Sequence, residues 1–237
     1  MSKKIWLYGE HVVREVLKNP KRRIHEVIGI SPERYKIPQR IKQRQVSKQV
    51  LDKMFPSGSV HQGIAVCTDM LENLDLEHYL RSLSNKKSVF LILDQVTDPH
   101  NIGALLRSAQ GFYADGVIIP SHHSPEESAI LAKCASGALE HVPLIRVSNI
   151  VRAIEVLKKH SFWTIGLSLT EKAQDIRKIN MPERTAFILG SEGKGMRNLT
   201  EKSCDYLGFI PMNPTLESYN VSNAGAIVLY NWVLAHK

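Results

Sequence analysis

From Ser88 onward the sequence alternates short apolar runs with longer stretches of helical period, and no other feature limits the fold as much. The runs lie at 89–93, 117–119, 144–147, 163–167, 186–189 and 207–210. Helical spacing of apolar residues fills 102–113, 125–139, 150–160, 196–204 and 221–235. Strands that alternate with helices build a mostly parallel sheet, covered on both faces by those helices. The expected class is therefore α/β, with residues 88–237 as its main domain.

The first part of the chain has a different texture. Val12, Val13, Val16 and Leu17 recur at helical spacing and stop at Asn19-Pro20. Lys21-Arg22-Arg23 follows, then an apolar run at 27–30. Pro32 and Pro38 punctuate a basic stretch carrying Arg34, Lys36, Arg40, Lys42 and Arg44. Ser47 is placed to cap a helix through Leu51 and Met54, and 63–67 reads as a closing strand. Residues 1–68 thus form a small α/β domain, near the lower practical size for an independent core. The polar stretch 69–87 reads as a linker, with a short helix at 76–83.

Charge separates the two parts. Residues 1–56 hold 14 Lys and Arg against 5 Asp and Glu, while the remaining 181 residues hold 17 against 18. The whole excess of positive charge sits in the N-terminal quarter, as a polyanion-binding module on a nearly neutral body would have it. Nucleic acid is the expected partner. No apolar run approaches a membrane span, and Lys3 and Lys4 precede no secretory apolar stretch. Three scattered cysteines, Cys67, Cys134 and Cys204, suit reduced thiols in a cytoplasm better than a disulfide frame or zinc site.

Three loops concentrate chemical groups. The first follows the run ending at Leu93: Asp98-Pro99 opens a turn, Asn101 is expected to cap the next helix, and Arg107 follows within it. The second is Gly190-Ser191-Glu192-Gly193-Lys194-Gly195-Met196, whose glycines permit close backbone approach. Its composition suggests a phosphate loop, but Gly190 and Gly193 are too close together and Gly195, not Ser or Thr, follows Lys194. The third, 210–226, turns from a strand end into the last helix and crowds Ser218, Tyr219, Asn220, Ser222 and Asn223 before it. Five capping candidates exceed what one helix start needs, which points to function.

Other constellations are weaker. The chain has no GxGxxG dinucleotide fingerprint and no GxSxG nucleophile elbow. Adjacent His122 and His123 point apart, so with Glu126 and Glu127 they read as a solvated loop and no metal is expected. Trp163, Tyr206 and Phe209 are expected in the core.

Taken together, the three loops resemble the signature motifs of the SpoU (TrmH-like) branch of the SPOUT methyltransferases. The family's DPxNxGxxxRxA reads here as Asp98-Pro99-His100-Asn101-Ile102-Gly103 through Arg107-Ser108-Ala109. Its xGxExxGM segment matches the loop from Gly190 to Met196, and IPMxxxxxSLNVSxAxxI matches Ile210 to Ile227. Ala135-Ser136-Gly137-Ala138-Leu139-Glu140 also looks like a family segment. Leu7-Tyr8-Gly9-Glu10-His11-Val12-Val13 and Val60-His61-Gln62-Gly63-Ile64-Ala65 are similar to the ends of a substrate-binding domain of ribosomal-protein-L30e-like fold. That domain occurs in large-subunit rRNA guanosine 2'-O-methyltransferases.

The resemblance implies a C-terminal trefoil-knotted domain, S-adenosylmethionine as cofactor, an RNA ribose 2'-hydroxyl as acceptor, and a homodimer. It places Asn101, Arg107, Glu192, Ser218 and Asn220 at catalytic motif positions. It gives Gly190, Ile210 and Tyr219 as positions whose backbone meets the cofactor. Tyr219 replaces the family's usual Leu, Asn223 a common apolar residue, and Pro214 stands near a turn that commonly holds Gly. A free guanidinium loses its proton only above about pH 12. Arg107 is therefore expected to act as a cation that holds a phosphate and steadies developing alkoxide charge. A tRNA 2'-O-methyltransferase and a non-catalytic RNA-binding knot protein are the competing expectations.

Overall fold

The computed structural model describes residues 3–236. Its strands are β1 (Lys4–Tyr8), β2 (Ile24–Gly29), β3 (Lys42–Gln45), β4 (Ile64–Asp69), β5 (Ser88–Leu93), β6 (Gly116–Pro120), β7 (Leu144–Val147), β8 (Trp163–Leu167), β9 (Gln174–Asp175), β10 (Arg184–Leu189) and β11 (Tyr206–Phe209). Its α-helices are α1 (Glu10–Lys18), α2 (Lys48–Met54), α3 (Leu76–Ser82), α4 (Pro99–Gly111), α5 (Ala129–Ala135), α6 (Ile150–Lys159), α7 (Asn198–Lys202) and α8 (Val221–His236). Two compact units result: Met1–Glu72 with Glu126–His141, and Asn73–Pro125 with Val142–Lys237. The stretch Glu126–His141, counted from sequence within 88–237, belongs to the first unit.

In the first unit a four-stranded sheet runs in the order β1-β4-β2-β3. β4 is antiparallel to both β1 and β2, and β3 joins β2 in parallel at the edge. Every residue of β3 is exposed, so its segment carries no apolar pattern and reads in sequence only as a basic stretch.

One buried ion cluster holds Glu126–His141 to this unit. The Arg22 side chain has no solvent exposure. Its Nε and Nη2 donate to Glu140 at 2.9 and 2.6 Å, and its Nη1 to the Asp69 carbonyl at 2.9 Å. Glu127 Oε1 lies 2.5 Å from Nη2, without the alignment of a hydrogen bond, while Oε2 accepts from the Leu71 amide at 2.9 Å. Burial opposes the guanidinium's charge, but the two carboxylates outweigh it and raise the Arg22 pKa. Glu127 is therefore buried rather than part of a solvated loop, because its charge has found a buried partner. Arg22→Met would leave both glutamates without their cation, and breaking such a pair costs about 3–5 kcal/mol. Denaturant unfolding should show that loss, with part of it recovered by adding Glu127→Gln and Glu140→Gln. A loss below about 1 kcal/mol would contradict this account of the cluster.

The second unit is the expected mostly parallel sheet, seven strands in the order β7-β6-β5-β10-β8-β11-β9. Every pairing within it is parallel. All of β5 is buried, as a central parallel strand covered on both faces must be. On one face Leu76, Leu80, Ile150, Ile154 and Leu157 of α3 and α6 pack on Phe90, Ile92, Ile118 and Ile188. Burying each such side chain stabilises the fold by about 1.5–3 kcal/mol. α4 and α8 pack on each other, α4 against β6 and α8 against β5 and β10. Trp163 departs from expectation: it is 47% exposed at the start of β8 and stacks on Tyr206 with centroids 5.5 Å apart. The apolar run placed it in a strand correctly, but the first residue of that strand lies beyond the packed core.

Candidate active site

β5 and β10 are neighbours, so the loops leaving their carboxyl ends emerge side by side, where open α/β sheets bind ligands. Asp94, the first residue after β5, has no solvent exposure. A carboxylate there needs partners, and Arg197 supplies them. Its backbone amide donates to Asp94 Oδ2 at 2.9 Å and its Nε to Oδ1 at 2.8 Å. This clamp fixes the loop after β10 to the loop after β5. Neither residue belongs to the three loop motifs; the signal for Asp94 in the sequence is a carboxylate directly behind the apolar run at 89–93.

The helix cap in the first loop is not Asn101. α4 starts one turn earlier, with Pro99 in its first turn and Asp98 accepting from the His100 amide at 2.9 Å. Proline's fixed φ pre-forms that turn, and Asp98 satisfies its open N–H. Asn101 is consequently free to use its side chain elsewhere.

In the second loop Ser191 and Gly195 exchange backbone hydrogen bonds, amide to carbonyl, at 3.1 and 2.9 Å. The resulting turn is so tight that a Cβ on Gly190 would lie 2.1 Å from the Gly195 carbonyl carbon. It projects Glu192 toward the third loop. Glu192 Oε1 accepts from Asn220 Nδ2 at 2.5 Å and from the Val221 amide, the first of α8, at 3.2 Å. The negative charge thus sits at the positive end of a helix dipole.

Asn220 joins all three loops. Its Nδ2 also donates to Asn101 Oδ1 at 3.1 Å, and its Oδ1 accepts from the Ser222 amide at 2.9 Å. The excess of capping candidates resolves here: Asn220 and Glu192 together serve the start of α8. Tyr219 is half-buried, with its hydroxyl donating to the Pro211 carbonyl at 3.3 Å, so the ring that replaces the usual Leu closes its own loop. Asn223 is exposed, which accounts for a polar residue there.

The second and third loops, with the segment that follows β8, border a cleft of about 450 Å³ at the carboxyl ends of β8, β10 and β11. Of the residues expected in the site, Gly190, Glu192, Ile210, Ser218 and Tyr219 line it. Asn101 and Asn220 adjoin it through Glu192. Arg107 is exposed on α4 and, among the described residues, makes no hydrogen bond or ion pair; the structure does not bring it into this network. Leu167, Leu169, Met196 and Phe209 give one wall an apolar surface. Glu192, Glu201 and Glu217 line the cleft against Lys194, the one cation among the described lining residues. Such a lining suits a flat apolar group joined to a cation and opposes a polyphosphate. Cys204 offers no nucleophile, since burial pushes its thiol up to about 12. Among the described residues no cluster of His, Cys, Asp or Glu could hold a metal ion.

Known proteins share the sequence and the fold of this chain over nearly its whole length. The model of the SpoU rRNA Methylase family matches residues 88–230, and a model for RNA 2'-O ribose methyltransferase substrate binding matches residues 6–74. The 23S rRNA (guanosine-2'-O-)-methyltransferase RlmB of Haemophilus ducreyi is 39% identical over 240 residues, 96% of each chain. A Staphylococcus aureus protein, described provisionally as a TrmH family tRNA/rRNA methyltransferase, is 35% identical over 94% of this chain and 93% of its own. The fold recurs in the SpoU methyltransferase AviRb from Streptomyces viridochromogenes, solved with AdoMet. That likeness has a TM-score of 0.82 at 19% identity and covers 98% of this chain and 89% of the other.

Proposed function

This chain belongs to the SpoU rRNA methylase family, and we propose that it methylates the ribose 2'-hydroxyl of a guanosine in large-subunit rRNA. It is an S-adenosylmethionine-dependent RNA 2'-O-methyltransferase. The observation that carries the reading is the union of Asn101, Glu192 and Asn220 beside the acid-lined cleft. The near-full-length likeness to the RlmB relative supports guanosine of 23S-type rRNA as the acceptor.

The cofactor, when bound, supplies a methyl group made electrophilic by the sulfonium. Gly190, Ile210 and Tyr219 are the wall residues that would hold it. Asn101, Glu192 and Asn220 fix the loops in one geometry, so that placement contributes much of the rate. Ser218, exposed at the cleft, orients the ribose. Arg107, which has no hydrogen-bond or ion-pair partner among the described residues, takes the neighbouring phosphate and offsets the charge that grows on the 2'-oxygen as its proton leaves to phosphate or water.

The basic N-terminal unit supplies phosphate contacts. On exposed β3, Lys42 and Arg44 share the single carboxylate of Glu26 at 3.4 and 3.2 Å, which leaves net positive charge facing solvent. A homodimer belongs to the same proposal. α8 is apolar around its girth, and Tyr230 and Leu234 on it, with Tyr113 after α4, are more than half exposed. A helix apolar on every side calls for cover on every side. A trefoil knot is likewise proposed, with support from β10 lying between the earlier strands β5 and β8. A cytoplasmic location suits cysteines that, among the described residues, form no disulfide.

A second reading, methylation of tRNA, is favoured by the broader description of the Staphylococcus relative. Transfer of labelled methyl to purified large-subunit rRNA and to tRNA, assayed side by side, separates the two. Label in the rRNA alone is expected; label confined to tRNA would establish the second reading instead.

A further inference from the structure

The carboxylates of the cleft are not equivalent. Glu192 is held by Asn220 and the start of α8. Glu201, on α7, and Glu217, in the third loop, line the same cleft, yet neither side chain makes a hydrogen bond or ion pair among the described residues. Their charge is not used to hold the fold. Lys194, the opposing charge, is exposed in the loop after β10.

We infer that Glu201 and Glu217 make the cleft discriminate by charge, holding the sulfonium form of the cofactor above its neutral thioether product. This rests on the S-adenosylmethionine reading of the cleft. In the transfer one C–S bond breaks, its electron pair stays on sulfur, and one C–O bond forms as the hydroxyl proton passes to phosphate or water. The ligand in the cleft thereby loses one positive charge while its adenine, ribose and amino-acid groups are unchanged. Contacts to those groups cannot tell product from substrate, whereas two carboxylates without a partner among the described residues can. Turnover itself then loosens the hold on the spent cofactor. The cleft opens to water, so each carboxylate acts across a screened distance and contributes about three-fold rather than orders of magnitude.

Calorimetric titration of the full chain tests this with S-adenosylmethionine, S-adenosylhomocysteine and sinefungin, which carries a protonated amine near the sulfonium position. Wild type should bind both cationic ligands more tightly than S-adenosylhomocysteine, and the margin should narrow as salt rises. E201Q and E217Q should each weaken the cationic ligands about three-fold, and the double variant about ten-fold, with S-adenosylhomocysteine changed less than about two-fold. Thermal melts matched to wild type would show that each variant is folded. A parallel loss for all three ligands, or no loss for any, would overturn the inference while leaving the cofactor assignment intact. Failure of wild type to bind any of the three would overturn the cofactor assignment and this inference with it.

Discussion

Arg107→Ala is expected to lower methyl transfer by about 10²–10³-fold while cofactor affinity stays within about two-fold. The helix that carries it is fixed without its help. Asp98 caps α4, and Ile102, Leu105, Leu106 and Ala109 bury its inner face. Arg107 itself is exposed, and no hydrogen bond or ion pair among the described residues depends on it. Removing it should therefore leave the fold and the cleft as they are and take away only a cation directed at substrate. Single-turnover transfer to RNA, paired with calorimetry for S-adenosylmethionine, separates the two effects. Arg107→Lys should recover part of the loss, because it restores charge without the planar fork that grips phosphate. Near-normal turnover in Arg107→Ala would remove Arg107 from the mechanism.

The second large effect concerns the cleft wall. Gly190→Ala places a methyl 2.1 Å from the Gly195 carbonyl carbon and 2.3 Å from the Met196 amide nitrogen. Both are backbone atoms, so no rotamer change relieves the clash. The turn closed by Ser191 and Gly195 has to open, and Glu192 moves with it. Cofactor binding should fall by more than about ten-fold and stability by about 1–3 kcal/mol, read by titration and by denaturant unfolding. Gly193→Ala is the internal comparison. No atom lies within 4 Å of a Cβ there, and only its φ of +82° resists the change. It should cost about 1–2 kcal/mol in stability and leave the cleft's shape intact. Equal effects of the two substitutions on cofactor binding would show that steric closure at Gly190 does not shape the cleft.

The main sheet was legible in sequence because the strands of a covered parallel sheet are written as largely apolar runs. β5, β6, β7, β8 and β10 lie where those runs lie. β3 was not legible, since an edge strand with every residue exposed has no pattern to read. Nor was the membership of Glu126–His141 in the first unit, because it depends on Arg22 meeting Glu127 and Glu140 across more than a hundred residues. The three loops were recognisable singly by their polar crowding and jointly by their resemblance to a family. Their meeting through Asn220 was not, since Asn101 looked like a cap until Asp98 and Pro99 took that place. The Asp94–Arg197 clamp escaped notice for the same reason as the Arg22 cluster. Each residue alone is ordinary, and only the pairing accounts for a buried charge.

The central claim is that this chain puts a methyl group on a ribose oxygen of RNA. Large-subunit rRNA, methylated by the purified protein with isotope-labelled S-adenosylmethionine, should be digested to nucleosides and the labelled product identified by mass. The account predicts that the label co-migrates with 2'-O-methylguanosine, at one position in the rRNA. Label on a nucleobase, or no label in any RNA from a chain that binds the cofactor, would contradict it.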